Sequence, residues 1–171
     1  GTGTVLTISA ADTITGSEAN FTALLTDEGN TQIAITDQNL TVNTGEISVG
    51  NANLLDTTTT GTVTATIASS SVDTLKTLTG TNAYTITIGA ADATGKTAAE
   101  FNTINGKTTV AIDASAVTGL ASDTVANIKT LLTAGNDTAQ FTGASFESIA
   151  TAVVSDTTLS GSDLADAIDQ A

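Results

Sequence analysis

The chain has 171 residues, 18 acidic against 4 basic side chains and a formal net charge of −14, with 15 Gly but no Pro, Cys, Met, Trp or His. No Arg occurs either, so disulfides, zinc sites, thiolate nucleophiles, histidine bases and arginine phosphate clamps are all excluded. With only Lys76, Lys96, Lys107 and Lys129 as cations, binding to nucleic acid or anionic lipid is disfavoured, and no apolar run reaches the roughly 20 residues of a membrane span.

In chain order, the first β-like run is residues 5–8 (VLTI), after which Ser17 stands as a helix N-cap before Phe21, Leu24 and Leu25. Residues 33–36 (IAIT) precede Val49, Ala52 and Leu55. Residues 63–67 (VTATI) precede Ser71 as a cap, then Val72, Leu75 and Leu78. Residues 84–88 (YTITI) precede Thr97 and Glu100 at capping-box spacing, with Ala98, Phe101 and Ile104 on the helix. Residues 110–112 (VAI) precede Ser122 as a cap and Val125, Ile128, Leu131 and Leu132. Two shorter runs follow: 140–142 (QFT), before Ser145, Phe146, Ile149 and Val153, and 158–160 (TLS), before Ser162, Leu164 and Ile168. Apolar residues three and four apart share one face of a helix of two or three turns.

The unit is therefore strand, turn, short amphipathic helix, turn, recurring about every 25 residues, within the range of solenoid repeats. Neither element buries its apolar face alone, and stacking resolves both problems. The expectation is an α/β fold: a right-handed solenoid of about seven strand–short-helix coils, leucine-rich-repeat-like in layout, over 1–171 as one array without a linker and with coils of about 18–32 residues. The alternative is an all-β parallel β-helix, because Thr-rich residues 56–66 suit a strand throughout. At 40% apolar but only 3% aromatic residues, the core is expected to be thin and aliphatic.

Residues 62–88 (TVTATIASSSVDTLKTLTGTNAYTITI) and 98–123 (AAEFNTINGKTTVAIDASAVTGLASD) carry a resemblance. They resemble the Ala/Thr-rich tandem repeats of very large secreted or surface proteins of bacteria, notably marine cyanobacteria, over about residues 32–171. The resemblance implies an extracellular or cell-surface protein with a structural or adhesive role and no catalytic residues. The chain lacks the GGxGxD run of calcium-binding nonapeptides, so bulk calcium loading is not implied.

Alternation along the strands sends Leu6, Ile8, Ile33, Ile35, Val63, Ala65, Ile67, Ile86, Ile88, Val110 and Ile112 inward. It sends Thr7, Thr36, Thr64, Thr66, Thr85, Thr87 and Thr109 outward, with Ala34 and Ala111 beside them. Threonine is a good solvated-strand residue, and a flat Thr ladder also offers a docking face or an ice-binding face. Asp12, Asp37, Asp92 and Asp113 recur beyond strand ends; they are read as turn or helix caps, with calcium as the one candidate ligand if they align. No cofactor and no enzymatic activity are expected, since no His activates the many hydroxyls and few aromatics are present to line a sugar cleft.

Neither end carries a polar capping repeat: Val5, Leu6 and Ile8 open the array, and Leu159, Leu164 and Ile168 close it. A first coil seated on another subunit's last coil is a heterologous contact, which generates filaments. The expected function is an extracellular structural repeat protein that self-assembles head to tail into a filament or surface layer. With no leader-like segment and no initiator Met, the chain also reads as a piece cut from a longer array. The alternatives are an adhesin-type module cut from a giant surface protein, whose partners are surface components or glycans, and an ice-binding solenoid.

Overall fold

The computed structural model describes residues 6–8, 12–29, 33–143, 146, 149, 153–158, 160–162 and 165. Its elements are β1 (Leu6–Thr7), β2 (Thr13–Ser17), α1 (Glu18–Gly29), β3 (Ile33–Ala34), β4 (Asn39–Thr44), α2 (Val49–Thr58), β5 (Val63–Thr66), α3 (Val72–Leu75), β6 (Ala83–Thr85), α4 (Ala98–Asn105), β7 (Ile112–Asp113), α5 (Val125–Gly135) and β8 (Phe141–Thr142). A single 3-10 turn, Ala90–Asp92, lies between β6 and α4.

All strand pairs among the described residues are parallel. One sheet has the order β2-β4-β5-β6; β1 pairs with β3, and β7 with β8. Bridges at Asn82↔Thr108 and Thr87↔Asp113 carry the parallel pairing from β6 toward β7. Parallel neighbours require a crossover, and here each one contains a helix: α1 before β4, α2 before β5, α3 before β6, α4 before β7 and α5 before β8. The fold is thus mixed α/β, which sets aside the all-β alternative. The Thr-rich stretch that suggested it is helical through Thr58, because the Thr57 and Thr58 hydroxyls both donate to the Leu54 carbonyl at 2.8 Å. Such back-bonding accommodates β-branched Thr at a helix end.

The registers set apolar residues above apolar residues. Leu40 pairs with Val63, Ala65 with Tyr84, Ile47 with Ile67 and Ile112 with Phe141, and all eight are buried. The helices close the other side of the same core through Val49, Ala52 and Leu55, then Val72 and Leu75, then Ala98, Phe101 and Ile104, then Val125, Ile128, Leu131 and Leu132. Each buried Val, Leu or Ile contributes about 1.5–3 kcal/mol, whereas α3, four residues long, could not persist alone. The core is less purely aliphatic than composition implied. Tyr84 and all four Phe are buried, and Phe146 sits 5.8 Å from Phe101 and 5.2 Å from Phe141, ring centre to ring centre.

Four local expectations are corrected. Leu6 is 62% exposed instead of facing inward, because β1 is only two residues long and, among the described residues, pairs only with β3. Val110 also faces outward: its N–H donates to the Thr108 hydroxyl at 3.0 Å, and that turn delays the inward alternation until Ile112. β2 and β4 are strands with weak sequence signatures, formed because Thr13 to Gly16 pair in step with Asn39 to Val42. The N-cap of α5 is Thr124, which accepts from the Asn127 N–H, not Ser122. Ser71 and the Thr97–Glu100 capping box stand where expected, and the Ser17 hydroxyl accepts the Asn20 N–H at 3.2 Å. Thr158 and Ser160 lie in no strand; Val5, Ser145, Leu159, Leu164 and Ile168 lie outside the described residues.

A polar seam closes one side of the core. Asn82, buried, accepts the Val63 N–H at 2.9 Å and donates to Asp56 Oδ1 at 2.7 Å and to the Tyr84 hydroxyl at 3.2 Å. Gly80 makes this approach possible: its φ is +62°, and a Cβ there would collide with Asp56 Oδ1. Gly80→Ala is therefore expected to cost about 1–3 kcal/mol, read by urea denaturation; an unchanged midpoint would refute the clash.

Candidate functional site

The outward threonines form the most regular exposed surface. Thr7, Thr36, Thr64, Thr66, Thr85, Thr87 and Thr109 are all exposed. Pairing sets Thr15, Thr41 and Thr64 in one row and Thr66 beside Thr85 in another. The rows are interrupted where Ala83 stands opposite Thr64 and Asp113 opposite Thr87. Two hydroxyls turn back to the protein: Thr36 donates to Asp37 Oδ1 at 3.2 Å and Thr109 to the Asn82 carbonyl at 3.4 Å.

The four aspartates singled out as calcium candidates do not converge. Asp12 is exposed just before β2. Asp37 accepts from Gln38 Nε2 at 2.7 Å. Asp113 accepts the Ser115 N–H at 3.0 Å, and bonding to Ser115 holds its carboxyl below the ordinary range. Asp92 is buried and accepts the Val72 N–H at 2.9 Å. Among the described residues no three carboxylates come together as a metal site.

Asp92 instead belongs to a set that spacing along the chain did not show. Asp123 Oδ2 accepts the Ala99 N–H, and Asp156 Oδ2 the Val125 N–H, both at 2.7 Å. The three carboxylates thus seat on the first turns of α3, α4 and α5, each supplied by a segment 20, 24 or 31 residues further along. The first N–H groups of a helix have no partner within it, and its dipole favours an anion there. Each carboxylate ties one helix to the segment after it. The signal available in sequence was an Asp shortly before a helix start, Asp92 ahead of α4 and Asp123 ahead of α5, but its partner depends on the register.

Charge pairing reinforces the same joint. Lys76 Nζ lies 3.0 Å from Asp73 and 2.6 Å from Glu100, and Lys96 Nζ lies 2.6 Å from Asp73 and 3.5 Å from Asp92. Bonds from Lys96 and then Lys76 lower the Asp73 carboxyl to about 2. At Asp123, burial pushes the carboxyl up, but hydrogen bonds from Asn127, Ala99 and Thr124 outweigh it and leave it below the ordinary value. A carboxyl depressed on folding contributes stability above its unfolded pKa, and that stability is lost as pH falls through the folded one. The melting temperature is therefore expected to hold from about pH 7 to 5 and to fall below about pH 4. Circular-dichroism melts across that range check it, and a flat profile down to about pH 2 would contradict it.

Several recesses flank these elements, one of about 440 Å³ between α1 and α2, lined by Thr22, Leu25, Asn51, Leu54, Thr57 and Thr58 among others. A groove of about 520 Å³ between α4 and α5 is lined by Asn102, Asn105, Lys129, Thr130 and Gln140 among others. A smaller apolar cleft of about 190 Å³ lies between β2 and α1, against Ile14, Phe21 and Leu24. No helix among the described residues is long and apolar enough to cross a membrane. No protein-family model, curated protein or solved structure matches the chain.

Proposed function

We propose that the chain is a non-catalytic structural repeat protein of the cell surface or extracellular space, a right-handed solenoid of strand–short-helix coils that joins copies of itself end to end into a filament or surface layer. The observation that carries this reading is the register. Among the described residues every pairing is parallel and joins a segment to a later one, 19 residues on at Thr64↔Ala83 and 31 at Asp123↔Val154. Chains built in this way stack like with like and differ at their two ends. The resemblance of residues 62–88 and 98–123 to Ala/Thr-rich surface repeats supports the setting.

The ends supply the contact. Among the described residues, β2 pairs only with β4, and β8 only with β7, so each keeps one open edge of a parallel ladder. Open edges are templates for further pairing. Of the exposed large apolar side chains, Leu6 lies at one end and Val153 and Val154 at the other, at 52% and 38% exposure, while Leu54 and Val110 lie between. The Ile14–Phe21–Leu24 cleft beside β2 is the exposed end of the core. Because the two ends are unlike, their contact repeats without closing.

Light scattering after size exclusion over a wide concentration range, followed by electron microscopy, tests the proposal. Growth into open-ended strings is expected, and a strictly monodisperse monomer at high concentration would sink it. A second reading, ice binding, draws on the rows Thr15–Thr41–Thr64 and Thr66–Thr85; absence of thermal hysteresis would eliminate it. An adhesin role draws on the groove of about 440 Å³ between α1 and α2, which Asn51, Leu54, Thr57 and Thr58 line from within residues 36–61, a segment that otherwise forms β4 and α2 and extends the sheet.

A further inference from the structure

We propose that the contact between copies is gated by counter-ions, so that chains remain separate at low ionic strength and join when salt screens their ends; this rests on the end-to-end reading above. The charge is unevenly distributed. All four lysines lie between positions 76 and 129, and so do just four acids, Asp92, Glu100, Asp113 and Asp123. That middle stretch is balanced, and the whole net charge of −14 falls on residues 1–75 and 130–171. In the structure, Lys76 pairs with Glu100 and Lys96 with Asp92 inside that stretch, and both also reach Asp73 at its border.

The open edges have no such compensation in their own sequence. Asp12 immediately precedes β2, and Glu18 and Asp27 lie on α1 behind it. At the other end, Asp137 precedes β8, its carbonyl accepting the Phe141 N–H at 3.1 Å, and Asp156 follows the bridge at Val154. A junction between copies therefore brings carboxylates toward carboxylates. Strands in a ladder are about 4.8 Å apart, whereas unscreened repulsion reaches about 30 Å at 0.01 M salt and about 10 Å at 0.1 M. At low salt, charges several strands deep on both sides oppose contact; at moderate salt only the outermost do. The backbone hydrogen bonds and apolar contact at the junction are short-ranged and survive screening.

The experiment measures the critical concentration for assembly of the full chain by sedimentation at about 0.01 M and about 0.3 M sodium chloride, with matched circular-dichroism spectra to show that both samples are folded. A drop of at least about tenfold at the higher salt is expected. Calcium or magnesium chloride at about 0.1 M, which matches the ionic strength of about 0.3 M sodium chloride, should each replace sodium and do so equally, because screening needs no site. The double variant Asp12→Asn/Asp27→Asn should lower the salt required, and Lys107→Gln, in the middle, should leave it nearly unchanged. Assembly as strong at low salt as at high, or a response to calcium without one to magnesium, would overturn the gating while leaving end-to-end assembly standing. No assembly in any salt would overturn that reading, and the gating with it.

Discussion

Phe101→Ala is expected to destabilise the fold by about 3–5 kcal/mol, because a fully buried ring is removed from a site that cannot collapse. Phe101 is 0% exposed on the inner face of α4. It sits at the point where three segments meet, with the Phe146 ring 5.8 Å away and Phe146 in turn edge-on to Phe141 at 5.2 Å. Loss of the ring leaves Phe146 without one of its two aromatic neighbours. For a domain of this size the melting temperature should fall by roughly 10 °C. Phe101→Leu retains much of the volume and should cost less than half as much. The comparison that isolates packing is Phe21→Ala: Phe21 is also buried, but it borders the open cleft beside β2, where solvent can fill the space. Because that cleft adjoins it, its loss should be clearly the smaller of the two. Thermal and urea denaturation of the three variants decide the matter, and equal losses at Phe21 and Phe101 would show that the aromatic cluster has no special place in the core.

The helices were legible because their evidence is local. Val49–Ala52–Leu55, Val72–Leu75–Leu78, Ala98–Phe101–Ile104 and Val125–Ile128–Leu131 are spaced for one face, and those faces are buried. Alternation likewise predicted the exposure of Thr64, Thr66, Thr85 and Thr87. What failed was long-range. β2 and β4 carry few apolar residues, and their extended state comes from one another's backbones, thirteen to seventeen against thirty-nine to forty-four. Val110 is turned out by a hydroxyl two residues earlier. Leu6 belongs to a terminal strand with nothing over it among the described residues. The aspartates show the same limit most plainly: Asp92 was grouped with Asp12, Asp37 and Asp113 by its distance from a strand, but its function in the fold is set by a helix 20 residues back. Only the register places the two together.

Removing two of those carboxylates together is expected to loosen the fold as a whole. In Asp92→Ala/Asp123→Ala, the first turns of α3 and α4 each lose the acceptor for a backbone N–H, Val72 and Ala99 respectively. An N–H left unpaired in a buried setting costs about 1–3 kcal/mol, and loss of an anion from a helix N-terminus adds about 0.3–1 kcal/mol. The Val72 site is fully buried, so water cannot replace the carboxylate there without opening the joint. Asp123 also accepts from Thr124 and from Asn127 Nδ2, both at 2.7 Å, so its removal frees the start of α5 as well as α4. Asp92 pairs with Lys96, three residues before the Ala99 N–H that Asp123 accepts, and the two effects should couple rather than add independently. A total loss of about 3–5 kcal/mol is expected from urea denaturation, with the largest gain in amide exchange at Val72, Ala99 and their neighbours. Asp92→Asn/Asp123→Asn retains an acceptor oxygen at each site and should recover at least half of the loss. If the double alanine variant stays within about 0.5 kcal/mol of the parent, which is the range of an ordinary surface change, these carboxylates do not hold successive segments in register.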